Sequence, residues 1–177
     1  MLRLIPAIAA LLISAPALAV ETACEGHEDN LQTYLEMTDI LFNQRLGDRA
    51  GEYYADEFIN HNSDAGGLTY STVTPEEMGK LWARLSDHTP DRLITNELII
   101  CQADLVIARV NATGRRIKGD MEGNPKNGRR YRYTAIDIYR FKDGKVIERW
   151  GNNDRIAMIR QLGLAVDLSM TPLPDNE

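Results

Sequence analysis

The sequence predicts an α+β domain in which N-terminal helices cover one face of a curved antiparallel sheet, enclosing a cone with an apolar interior. Three observations predict it. Apolar residues recur at helical spacing up to about residue 86, the spacing changes to strict alternation from Asp91 onward, and Asp143-Gly144 separates two alternating runs. The change of period happens once, so helices and strands are segregated along the chain rather than interleaved as in a parallel sheet with crossover helices.

Leu31, Tyr34, Leu35, Thr38, Leu41 and Phe42 fall at three- and four-residue steps and predict a first helix over 28–45, stopping before Gly47. A second, shorter helix is expected from Arg49 to Phe58, ended by the turn formers of "NHNSDAGG". In "TPEEMGKLWARLSD", Thr74 is placed as N-cap, Pro75 at the first helical position and Glu77 three residues after the cap. That is a capping box ahead of Met78, Leu81, Trp82 and Leu85, and it predicts a third helix over 74–86. Strands are expected between 91 and 150, in "LIICQADLVIARVNA", "RYRYTAIDIYRF" and "VIERW", which are crowded with β-branched and aromatic residues. Asp143-Gly144 suits a type I′ turn, which needs positive φ at both central positions. An uninterrupted two-residue hairpin would place Asp137 opposite Trp150 and Tyr139 opposite Glu148 on one face. "DRIAMIRQLG" reads as a last helix closed by glycine, and residues 166–177 as a loosely held tail.

With 177 residues, 44% hydrophobic and 26% charged, the chain is long enough for one domain, assigned to 20–165. Residues 1–19, "MLRLIPAIAALLISAPALA", place an arginine before an apolar stretch and end in Ala17-Leu18-Ala19, the layout of a secretory signal peptide cleaved near Ala19. Pro6 and Pro16 interrupt that stretch, which falls short of the roughly 20 residues a membrane span needs. The expected location is periplasmic or secreted, with no membrane association after cleavage. A formal charge of -6 repels a phosphate backbone, so nucleic acid is not an expected partner. Cys24 and Cys101, the two cysteines, either form one disulfide tying the mature N-terminus to the sheet or remain thiols. They and the three histidines lack metal-ligand spacing, and no metal is expected.

The string "NATGRRIKGDMEGNPKNGRRYRYTAIDIYRFKDGKVIERWGNNDRIAMIRQLG" resembles the C-terminal half of the SnoaL-like polyketide cyclase or ester cyclase family, within the nuclear-transport-factor-2-like α+β barrel superfamily. The resemblance continues upstream through "YYADEFINHN" and "HTPDRLITNELIICQADLVIARV". Its most specific parts are "GNPKNGR", "IDIYRFKDGKVIERW" and W-x-x-x-D followed by "QLG". The resemblance implies a cofactor-free protein in which a carboxylate moves a proton beside a carbonyl of a small hydrophobic or cyclic molecule, and a homodimer formed through the sheet. A binding protein for a small hydrophobic ligand, without chemistry, is the other role open to this fold.

By that resemblance the acid/base aspartate falls on Asp154 and an assisting histidine on His61. As plain residues, Asp154 also reads as the N-cap of the last helix, a position that Asn152 or Asn153 could fill instead, and His61 as a polar group at a helix end. Asp137 stands in an otherwise apolar and aromatic strand, on the face expected to carry Tyr139 and Trp150. There it is either a second acid/base or polar anchor, or a structural acceptor for the Trp150 N–H or for Arg132. Tyr34 and Trp82 join the candidate pocket lining, although aromatics on the apolar face of a helix read first as core. Where many family members carry histidines, this chain has Arg115-Arg116 and Arg149. Such arginines would suit a carboxylate or phosphate on a more anionic substrate, or stay solvated on the sheet.

Overall fold

The computed structural model describes residues 20–61, 71–117 and 128–163. The expected signal segment, most of "GNPKNGR" and the expected tail at 166–177 lie outside the described residues. A first helix, α1 (Glu28–Met37), runs on as a π-helical turn at Thr38–Asn43. The Thr38 hydroxyl donates to the Tyr34 carbonyl one turn back, at the point where the helix widens. The capping box at Thr74 forms as expected and opens α2 (Pro75–His88). The last helix, α3 (Arg155–Leu162), ends on Gly163 at φ 75°, which frees the terminal carbonyls for the Gly163 N–H.

Seven strands, β1 (Glu21–Ala23), β2 (Tyr54–Asn60), β3 (Ser71–Val73), β4 (Leu93–Gln102), β5 (Leu105–Arg116), β6 (Arg129–Lys142) and β7 (Lys145–Asn153), form one sheet in the order β1-β4-β5-β6-β7-β2-β3. The sheet is curved and unclosed, and with the helices it makes the expected α+β fold. Two expectations change. The centre is antiparallel, but β1 pairs β4 and β2 pairs β7 in parallel, so the sheet is mixed. The helix expected over 49–58 is instead a 3-10 turn (Gly47–Glu52) leading into β2. Tyr54 and Phe58, both buried, are four residues apart, a spacing that suits a helix face and a strand face equally; pairing with β7 decides for the strand.

The disulfide between Cys24 and Cys101 joins β1 to β4, with Cα atoms 4.5 Å apart. At the centre, Val106, Ala108, Val110 and Ala112 of β5 alternate inward against Met37, Leu41 and Phe42 of the first helical segment and Met78 and Trp82 of α2. Ala112 faces Tyr133, and Ala135 of β6 lies opposite Val110. Small residues at Ala112 and Ala135, both of which line the pocket, leave space between the sheet, α2 and α3.

The hairpin turn has positive φ at Asp143 (51°) and Gly144 (74°), as type I′ geometry demands. Two residues beyond the turn, a bulge shifts the register between Arg140 and Phe141. Asp137 therefore lies opposite Gly151 and Tyr139 opposite Arg149, while Trp150 pairs with Ile138 and Glu148 with Arg140. A one-residue slip moves every following side chain to the other face. Here it turns Arg149 inward and Trp150 outward.

Candidate functional site

A pocket of about 440 Å³ lies between the inner face of the sheet, α2, α3 and the π-helical turn. Its apolar walls include Phe42, Trp82, Leu85, Ile94, Val110 and Met158. Phe42 and Trp82 pack with ring centroids 4.3 Å apart and so present a continuous aromatic surface.

The polar part of the pocket is built on the β6–β7 hairpin. Arg149 is 7% exposed, yet it lines the pocket together with Asp137. Its Nη2 donates to Asp137 Oδ1 at 2.5 Å, its Nη1 to Asn60 Oδ1 at 3.3 Å and its Nε to the Tyr139 hydroxyl at 3.3 Å. Asn60 arrives because β2 runs parallel to β7, with Asn60 beside Arg149 in register. Gly151 makes the pair possible in this place. A Cβ there would stand 2.7 Å from both Arg149 Nη2 and Asp137 Oδ1.

Burial works against the Arg149 charge, but attraction to Asp137, reinforced by Tyr139 and Tyr54, more than offsets it and holds the guanidinium above its ordinary value. Burial likewise pushes the Tyr139 hydroxyl up, with the Asp137 charge adding to the effect. The site thus holds a fixed charge pair with a neutral phenol beneath it. Removing one partner of such a buried pair costs about 3–5 kcal/mol, because the other charge stays buried without compensation.

The structure places the other candidates as follows. Trp82 forms part of the pocket wall. Tyr139 lies beneath Arg149, and Tyr34 lies deeper, its ring 5.5 Å from that of Tyr139 and its hydroxyl donating to Asn96 Oδ1 at 2.7 Å. Both tyrosines are buried in the core outside the pocket lining. Asp154 is exposed and caps α3, its Oδ1 accepting from the Ala157 N–H at 2.9 Å. Its sequence neighbours Asn153 and Arg155 line the pocket, so Asp154 stands at the rim.

His61 and Trp150 stand on the opposite face of the sheet. Their rings stack at 4.9 Å, and His61 Nε2 is 2.8 Å from Glu148 Oε1. The expectation that Trp150 shares the face of Asp137 and Tyr139 is corrected by the bulge. Asp137 takes neither partner first considered for it, Trp150 or Arg132; its partner is Arg149. The sequence marks Arg149 only as an arginine where relatives have histidine. Among the described residues no group of three or more His, Cys, Asp and Glu side chains could hold a metal ion.

A curved α+β sheet packed by helices, with a pocket on its inner face, is the SnoaL type of fold. The chain belongs to the SnoaL-like polyketide cyclase family, whose model matches residues 32–162. Solved structures share the fold. One is a proposed polyketide cyclase from Acidithiobacillus ferrooxidans, with TM-score 0.68 and 16% identity, covering 76% of this chain and 94% of that one. Another is IdmH, a proposed polyketide cyclase from Streptomyces antibioticus, with TM-score 0.64 and 24% identity, covering 76% and 99%. A third is a proposed SnoaL-like polyketide cyclase from Jannaschia sp. CCS1, with TM-score 0.62 and 19% identity, covering 84% and 97%. No curated protein sequence matches the chain.

Proposed function

We propose that this protein carries out cofactor-free acid/base chemistry on a small carbonyl-containing or cyclic molecule held in the pocket, with Asp137 as the carboxylate that meets the ligand. One observation carries the reading: among the described residues lining the pocket, Asp137 is the single carboxylate. In the proposed step Asp137 takes a proton from the carbon beside the carbonyl. The electron pair moves onto the carbonyl oxygen, where the arginine-rich lining stabilises the developing negative charge; the enolate carbon then closes the ring on a second carbonyl carbon of the same molecule, that C=O π bond breaks onto its oxygen, and Asp137 returns the proton there. Family position favours Asp154 for the same task. Geometry favours Asp137, since a base must come within hydrogen-bond reach of the proton it removes, and Asp154 is exposed with one oxygen committed to the α3 cap.

The test is turnover by Asp137→Asn and Asp154→Asn on a substrate found by screening small cyclic ketones, esters and lactones. Asparagine keeps an acceptor for Arg149 in the first variant and an equally good cap in the second. Loss of turnover in the first alone, with both folded, supports Asp137; loss in the second alone returns the role to Asp154. The non-catalytic reading, a carrier for a hydrophobic ligand, is favoured by the same bonds, because each aspartate already serves a structural partner. It predicts binding without turnover in every variant.

Two further parts of the proposal concern context. Export with cleavage near Ala19 is supported by Ala17-Leu18-Ala19 and by the disulfide, a bond that persists in oxidising compartments. Intact mass of the secreted protein beginning near Val20 checks it. Homodimerisation through the outer sheet face is supported by the partly exposed Ile59, Ile100 and Ile136, which lie on the face opposite the pocket. Sedimentation at micromolar concentration distinguishes dimer from monomer.

A further inference from the structure

We propose that the pocket selects a monoanionic ligand, an aromatic or alicyclic carboxylate, and that Arg92 receives its charged group. The inference rests on the small-molecule reading of this pocket and adds the substrate class. The protein as a whole carries a formal charge of -6, yet the described residues lining the pocket include Arg84, Arg92, Arg116, Arg149 and Arg155 against Asp137 alone. Such a concentration of one sign in a cleft with apolar walls focuses a positive potential on whatever enters.

The arginines are not equivalent. Arg149 is neutralised by Asp137 at 2.5 Å. Arg116 and Arg155 are engaged by other groups as well, and Arg84 is exposed. Arg92 differs from all of these. It is half-buried, lies over the Trp82 ring at 5.2 Å from its centroid, and has no carboxylate within ion-pair distance among the described residues. Its charge is felt at the hydroxyls of Tyr131 and Tyr139, where it opposes part of the effect of burial.

Stacking on Trp82 orients the guanidinium and leaves its edge N–H groups for a planar acceptor, the geometry that suits a carboxylate. Beside it, Phe42, Trp82, Ile94 and Val110 offer a surface for a flat apolar body. One uncompensated guanidinium at this depth balances one negative charge. A second negative charge would have to reach arginines that are exposed or already engaged by other groups.

The experiment is a Trp-fluorescence and calorimetric titration with probes that share one ring system: 2-naphthoate, its methyl ester, 2-naphthylammonium and 2-naphthyl phosphate. The expected result is that naphthoate binds at least tenfold more tightly than the ester and no more weakly than the phosphate, that the cation is the weakest, and that added salt narrows the gap. In Arg92→Gln the preference of naphthoate over the ester should collapse to within about twofold while ester binding is retained. Arg92→Lys, which keeps the charge but loses the planar fork, should lie between. Equal binding of acid and ester overturns the anion inference and leaves the pocket as a neutral-ligand site, tighter binding of the phosphate overturns the monoanion selectivity, and an unchanged preference in Arg92→Gln overturns the role of Arg92. Binding of none of the probes would overturn the small-molecule reading itself. Should Arg92→Gln melt at a lower temperature, Arg92→Lys tests the role of Arg92 and the wild-type comparison of the four probes tests the ligand class.

Discussion

Arg149 is the residue on which the site turns. Its three kinds of nitrogen are each given a partner, Asp137, Asn60 and Tyr139, and those partners come from β6 and β2 rather than from its own strand. The arrangement depends on Gly151, across the ladder from Asp137, having no side chain. Gly151→Ala should push the pair apart and destabilise the fold by about 1–3 kcal/mol, as overpacking against a locked neighbour does. Urea denaturation checks it; an unchanged midpoint would mean that the pair has room to shift. Arg149→Ala should cost more, about 3–5 kcal/mol, because Asp137 is left facing the interior alone.

The β6–β7 hairpin shows how an element can be legible while its consequence is not. Asp143-Gly144 announces the turn, and the alternation on either side announces the strands. The bulge at Arg140/Phe141 has no comparable signature, since it spends one ordinary residue and leaves composition unchanged. That single residue decides whether Arg149 or Trp150 enters the pocket. The capping box at Thr74 was legible because side chains close in sequence make both of its bonds. β2 was not, because Tyr54 and Phe58 satisfy two periods at once and only β7, about 90 residues away, selects between them. Asp137 stood out as a carboxylate in an apolar strand, whereas Arg92 carried no mark beyond its charge.

β1 makes a different point at the same scale. It has three residues, all exposed, and pairs only with β4, so little besides the disulfide holds it. Replacing Cys24 and Cys101 together by serine should remove about 2–4 kcal/mol of stability, since the bond closes a loop with a sequence separation of 77. A loss below about 0.5 kcal/mol in urea denaturation would mean that the edge pairing suffices.

At the scale of the whole molecule, the core beneath the pocket is built from phenols. Tyr34, Tyr54 and Tyr139 are each buried, and burial is the main cause that raises all three hydroxyls above their ordinary value of 10.0. A group whose folded-state value is raised contributes stability in full below the unfolded value and loses it as pH rises beyond that point. The protein should therefore unfold cooperatively above about pH 10, with the three phenolates appearing in the 295 nm absorbance only as ellipticity is lost. Early ionisation of these tyrosines in a folded molecule would contradict the packing described.

The pocket and its core together form one device, a set of buried tyrosines under a charge pair in a pocket lined by arginines. Its proposed purpose is to move a proton beside a carbonyl, and that step can be observed without knowing the natural substrate. The direct measurement is deuterium incorporation at the acidic α-carbon of 2-tetralone in D₂O, followed by ¹H NMR with wild-type protein, Asp137→Asn and no protein. The account predicts exchange accelerated over buffer by the wild type and reduced to the buffer rate by Asp137→Asn, with the variant still folded and still binding the ketone. Exchange by Asp137→Asn at the wild-type rate would contradict the role given to this carboxylate.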